Sequence, residues 1–191
     1  ADSLTGATNT AVAYSAVLLD SVTATGQSTN SSAGSTSAQT GQQIYIATSG
    51  TLALAAASDM PIAQLRSMGQ TGQTLATFKL TAGPQESISV TKVIVTDTIS
   101  GTSAAATGSI VNLKLFKSNG TQVGTTVASM TSSSTGLNVL ATFTGINNLT
   151  VAKDGTEVLT LKADVNGYPN AVSGSAHTFQ IISAGDVTAL G

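Results

Sequence analysis

From Ile44 to Gly191 the chain is written in short runs of Val, Ile, Leu and Thr, punctuated by Gly, Asn and Ser. That feature constrains the fold more than any other. β-Branched side chains lose rotamer freedom in a helix and pack well on a pleated surface. Runs of this kind bounded by turn formers read as strands. Strands are expected at Ile44–Ala47, Thr51–Ala56, Thr74–Ala82, Ser87–Thr96, Val111–Leu115, Gln122–Ala128, Leu137–Phe143, Leu149–Val151, Glu157–Val165 and His177–Ile182. Within Thr74–Ala82, period-two alternation puts Ala76, Phe78 and Leu80 on one face and Thr77 and Lys79 on the other. Within Ser87–Thr96, Ile88 and Val90 are out of phase with Val93 and Val95, so a bulge is expected near Thr91-Lys92. Ser118-Asn119-Gly120-Thr121 reads as a hairpin turn because Asn-Gly tolerates positive φ, and Lys153-Asp154-Gly155-Thr156 reads likewise. One short helix is expected at Met60–Met68, with Asp59 as N-cap and Pro61 in the first turn. The fold class is all-β: a β-sandwich, immunoglobulin-like or jelly-roll, with an N-terminal extension strand.

The chain before Ile44 reads differently. Residues 1–26 hold one apolar run, Ala11 to Leu19. Residues 27–41 (QSTNSSAGSTSAQTG) carry no large apolar side chain. Such a stretch cannot contribute to a core and reads as a linker. The expected organisation is an N-terminal strand segment over 1–26, a linker over 27–43 and a sandwich domain over 44–191.

Composition excludes several classes of function. Charged residues are 8% of the chain and the net charge is -2. Seven scattered cations make no clustered positive field, so nucleic acid is not an expected partner. With no Cys and a single His, thiolate and multi-histidine metal sites are excluded. No run is long and apolar enough to span a membrane as a helix. Ala1-Asp2-Ser3 lacks the features of a signal peptide and reads as the stretch after a cleavage point. A Ser/Thr/Gly/Ala-rich, Cys-free chain is expected at the cell surface or outside the cell.

Little in the sequence points to chemistry. His177 could be imagined in a Ser-His-Asp triad with Asp164 or Asp186. No nucleophile elbow precedes any Ser, so the imidazole reads as a surface or strand-end group. Asp154 and Glu157 flank a turn, and Asp97 and Asp164 end strands. These carboxylates read as turn caps, with a shared Ca²⁺ between loops as the competing reading. Apart from that ion no cofactor is expected, and neither a P-loop nor a dinucleotide fingerprint is present. Three sequons stand at Asn30, Asn119 and Asn148; in a chain so rich in Ser and Thr such triplets arise often by chance, so they are candidate acceptors only. The chain is expected not to be an enzyme.

The most informative signal is an internal echo. Ala11 to Val17 and Val22 to Gly26 align without gaps, at a constant offset, on Ala176 to Ile182 and Val187 to Gly191. Tyr14 falls on Phe179, Ala16 on Ile181, Val17 on Ile182 and Gly26 on Gly191. The N-terminal segment then reads as a second copy of the domain's last strand. A lone amphipathic strand needs a sheet edge, and a neighbouring molecule can offer one. Repeated head to tail, that contact does not close.

The phrases GTLALAAASD, QTLATFKLTAGPQESISVTKVIV, IVNLKLFKSNGTQVGTT and EVLTLKADV resemble β-sandwich repeats of bacterial surface, S-layer-like proteins. In such repeats a DVTATG-like end leads through a Ser/Gly/Thr linker to a GTLTL-like start. Here Asp20–Gly26 (DSVTATG), the linker and Gly50–Leu54 (GTLAL) follow in that order. The layout is similar to subunits of extracellular fibres and pili assembled by donor-strand exchange. The resemblance implies a structural subunit whose donor residues are Val12, Tyr14, Ala16, Val17, Leu18, Leu19 and Val22, and whose partners are identical subunits. The alternative is a cell-surface adhesive or S-layer module that binds a ligand through its loops.

Overall fold

A computed structural model describes residues 13–15, 18–19, 23–34, 39–40, 43–45, 50–101, 104–133 and 138–191. The chain divides into two units, residues 1–49 and 50–191.

The first unit is a β-hairpin in six short pieces: β1 (Ala13–Ser15), β2 (Leu18–Leu19), β3 (Thr23–Thr25), β4 (Ser32–Gly34), β5 (Gln39–Thr40) and β6 (Gln43–Tyr45). The pairs are β1 with β6, β2 with β5 and β3 with β4, all antiparallel. The tip is closed by backbone bonds: the Gly26 N–H donates to the Ser31 carbonyl and the Asn30 N–H to the Gly26 carbonyl. Asn30 takes the left-handed conformation there, at φ 50°, which Asn tolerates better than other side chains. The stretch expected as a linker therefore supplies this turn and a return arm. Backbone pairing needs no apolar side chain, and a search for apolar periodicity overlooks a strand written in Ser, Thr and Gln. The expected strand at Ile44–Ala47 is described only in its first half. Its Ile44 and Tyr45 pair with Tyr14 and Ala13 of β1, its Ile46 and Ala47 lie outside the described residues, and the second unit begins at Gly50.

The second unit is a β-sandwich. Its strands are β7 (Leu52–Ala56), β8 (Gln73–Ala82), β9 (Ile88–Ser100), β10 (Ile110–Lys117), β11 (Gln122–Ser129), β12 (Thr131–Ser132), β13 (Asn138–Phe143), β14 (Thr150–Val151), β15 (Thr156–Val165), β16 (Ala176–Gln180) and β17 (Val187–Leu190). The first sheet runs β11-β10-β15-β8-β7. The second is built around β9. One side of β9 pairs with β13 and β14, and the other with β16 and β17. All these pairs are antiparallel. The inner faces meet in one core, in which Leu80, Val93, Val95, Leu113, Leu115, Val123, Ala141, Phe143, Leu159 and Leu161 are fully buried.

The inner face expected in β8 is present: Ala76, Phe78 and Leu80 are buried. The bulge expected in β9 is present. Thr188 pairs with Lys92 and Ala189 with Val90, so Thr91 is the extra residue, and its hydroxyl donates to the Thr188 carbonyl at 3.2 Å. The Asn119-Gly120 turn joins β10 to β11 with Gly120 at φ 81°. The second such turn, with Asp154 at φ 56°, carries the chain from β14 in one sheet to β15 in the other.

Two expectations differ. Residues 61–67 hold no helix, and Ile62 and Leu65 are exposed at 83% and 102%. A nine-residue helix is too short to hold without packing an apolar face, and nothing packs on this one. Thr77, expected on the outer face of β8, is buried. Its N–H donates to Met60 Sδ at 3.4 Å, and its hydroxyl is buried without a partner.

Candidate functional site

The sandwich is closed along one side and open along the other. On the closed side the fully buried Val123 of β11 and Ala141 and Phe143 of β13 seal the core. On the open side cover fades toward both edges. Leu80 and Ala82 of β8 are buried, while Leu54 and Leu52, their partners on β7, are half-buried. Val93 and Val90 of β9 are buried, while Val187 and Ala189, their partners on β17, are half-buried. Phe179 and Ile181 are half-buried against the same core.

Glu86 ties the two edges together at one pole. Its carboxylate accepts from the Gly50 N–H ahead of β7, and a Cβ placed on Gly191 after β17 would also strike it. Glycine at both positions lets the strand ends close on one carboxylate. Among the described residues β7 pairs only with β8, and β16 and β17 only with β9. The outer backbone groups of these strands are an unfilled ladder. None of the three strands carries Asp, Glu, Lys or Arg.

Of the expected donor residues, Tyr14 lies in β1 opposite Ile44, and Leu18 and Leu19 form β2 opposite Thr40 and Gln39. Val12, Ala16, Val17 and Val22 lie outside the described residues. At the offset of the echo, two of the three outgoing strands align on strands of the second unit, and β2 aligns on Ser183–Ala184 at a 3-10 turn. β1 aligns on Thr178–Gln180 within β16, and β3 on Thr188–Leu190 within β17. Between β16 and β17 the 3-10 turn Ala184–Asp186 interrupts the strand. At the aligned place the hairpin register slips, from Leu19↔Gln39 to Thr23↔Gly34.

His177 projects from β16 into a polar cluster. Its Nδ1 lies 2.7 Å from Asp97 Oδ2 and its Nε2 3.1 Å from Ser175 Oγ. The Asp97 side chain is 0% exposed and that of His177 12%. Asp97, not Asp164 or Asp186, is thus the carboxylate beside the imidazole. The Ser175 hydroxyl has one proton and donates it to the Val172 carbonyl at 2.8 Å. Its oxygen is left to accept from Nε2, which makes a clamp and not a nucleophile held by a base. Asp97 Oδ1 is buried without a partner.

Three other carboxylates, Asp164, Glu157 and Asp186, are each held by separate partners. Asp164 Oδ2 accepts from Asn112 Nδ2 at 2.9 Å and Oδ1 from the Gly72 N–H at 2.7 Å. The Asn112 hydrogen bond, then that of Gly72, holds the Asp164 carboxyl below the ordinary value of 3.8. Asn112 reaches it from a bulge in β10, at φ 53°. Glu157 Oε1 accepts from the N–H and the hydroxyl of Ser118, which fastens the Asn119-Gly120 turn. Asp186 Oδ2 accepts from the Ile182 and Ser183 N–H groups and caps the 3-10 turn. Among the described residues no three or more His, Asp or Glu side chains gather to hold a metal ion. No described helix is long and apolar enough to cross a membrane.

Comparison with known proteins gives no match to any family model, curated protein or solved structure.

Proposed function

We propose that the chain is a structural, non-enzymatic subunit of an extracellular filament. It polymerises head to tail when its N-terminal β segment, residues 13–45, adds to the sandwich of a neighbouring subunit. The observation that carries this reading is the pairing of two incomplete parts. A two-stranded hairpin is marginal by itself in water. A sandwich with half-buried apolar side chains along an open side gains by covering them. A surface poor in charge favours association over repulsion.

Electron microscopy of the full chain, beside a chain lacking residues 1–49, tests the reading. Circular dichroism checks that the shortened chain still folds. Filaments from the full chain and isolated β-rich particles from the shortened one are expected. Folded monomers from both refute it. Monomers from both would bring forward the second reading, an adhesive surface module, which the exposed Ile62, Leu65 and Tyr168 favour. A loop surface that gathers several exposed apolar side chains can serve as a contact patch.

A further inference from the structure

We propose that the acceptor is the free edge of β16–β17, and that its occupant is the return arm, Ser32–Tyr45, of a second copy of this chain. The inference rests on the filament reading and names its contact.

The edge is the first argument. The second sheet stops at β16–β17, while across the core β7 still presents half-buried Leu52 and Leu54. One more strand beside β16–β17 would lie over those side chains. It would also satisfy the outer N–H and C=O groups of both strands. Neither edge has the charges or prolines that natural sheets use to repel a stray strand.

The occupant follows from the hairpin. Its outgoing arm, β1 to β3, is the sequence echo of β16 to β17: β1 and β3 align within those two strands, and β2 aligns on Ser183–Ala184 at the 3-10 turn between them. Its return arm already pairs with that outgoing arm. A strand that pairs with one copy of a motif has a ready register on the other. In a second molecule the return arm can exchange its own outgoing arm for the neighbour's β16–β17, with the count of backbone bonds unchanged.

Carrying the hairpin register across fixes the contact. Ala13↔Tyr45 becomes Thr178↔Tyr45, Tyr14↔Ile44 becomes Phe179↔Ile44, and Ser15↔Gln43 becomes Gln180↔Gln43. Phe179 faces the core and Thr178 and Gln180 face solvent. Residues opposite each other in an antiparallel pair share a face. Ile44 therefore falls at a core-facing position and Gln43 and Tyr45 at solvent-facing ones. Charge agrees: from Gln27 to Tyr45 no residue is charged, and the acceptor strands carry only His177, already engaged with Asp97. A one-residue slip would put Ile44 in solvent, so the register is specified.

The test uses the full chain, which has no cysteine of its own. Thr178→Cys and Tyr45→Cys are made in separate chains, mixed from the unfolded state, assembled and oxidised. Opposed strand positions lie within disulfide reach. The control pairs Thr178→Cys with Ile44→Cys, one register step away. The double variant, Thr178→Cys with Tyr45→Cys in one chain, is oxidised in parallel. Expected are a linked dimer from the mixture, none from the control, and a ladder of multimers from the double variant. Filaments without the linked dimer overturn the edge and register and leave the filament reading standing. A double variant that closes into a linked monomer without a ladder shows that the arm docks on its own sandwich, and overturns the exchange. If no filaments form and no link appears, both readings fall.

Discussion

His177→Phe removes the one partner that a buried carboxylate has among the described residues. Asp97 is 0% exposed, its Oδ2 contacts His177 Nδ1 at 2.7 Å, and its Oδ1 already lacks a partner. Nothing else in the clamp can replace the imidazole, because the Ser175 hydroxyl is committed to the Val172 carbonyl. Breaking a buried pair from one side costs about 3–5 kcal/mol, since the remaining charge stays desolvated. His177 is 12% exposed, so water reaches the gap and the lower end, about 3 kcal/mol, is expected. With a urea slope of about 2 kcal/mol/M, the unfolding midpoint falls by about 1.5 M. The double variant His177→Phe with Asp97→Val removes both polar groups and should return to within about 1 kcal/mol of the parent. The assay is urea unfolding of the full chain followed by far-UV circular dichroism. A single-variant shift below about 0.5 M, or a double variant as unstable as the single, refutes the orphaned-charge argument.

Gly101→Ala places a Cβ 2.6 Å from the Gly174 carbonyl oxygen at φ 88°, so backbone must move, and a clear fall in thermal midpoint is expected by calorimetry. Phe143→Ala empties the fully buried end of β13 and should cost about 3–5 kcal/mol in chemical unfolding. Thr77→Val replaces a buried, unpartnered hydroxyl by a methyl and should leave stability equal or higher in the same assay. For Asp164 the folded carboxyl titrates below the ordinary 3.8, so the native state binds fewer protons than the unfolded one there. Its contribution is complete above the ordinary value and is lost as pH falls through the lowered one. Asp164→Asn should therefore flatten the acid limb of a stability-against-pH curve and change little at pH 7, since the group faces solvent.

The sandwich was legible where side-chain chemistry dictates backbone geometry. Ala76, Phe78 and Leu80 at period two in β8 mark a face that must be buried. The phase change around Thr91 could be absorbed only by an extra residue. The return arm was hidden because Ser, Thr and Gln pair through their backbone without announcing a face. The Met60–Met68 segment misled because Asp59 as a cap and Pro61 in the first turn are local signals. A short helix is decided by what it packs against, and Ile62 and Leu65 pack against nothing. Asp97 had a readable signal that went unused. A carboxylate amid the apolar positions of Ile88–Ser100 needs a buried donor, and the chain has one histidine. Which strand would carry that histidine alongside is a matter of long-range pairing, and no local pattern encodes it.

The position of β9 has a consequence for the order in which the molecule can form. Its sheet partners come late in the chain: Asn138–Phe143, Thr150–Val151, Ala176–Gln180 and finally Val187–Leu190. The first sheet can begin locally, as the hairpin of β10 and β11. Among the described strands β9 can pair with nothing until the chain has run on from Ser100 to Asn138, and its second flank waits for the last strand. Contacts at such separations are slow to find, because loop closure must precede any gain from pairing. During synthesis the central strand is thus a bare thirteen-residue template. A chain interrupted near Val165 would present one full flank of it to any extended segment nearby. The strand that holds the finished domain together is, until the last residues arrive, its greatest hazard for mispairing.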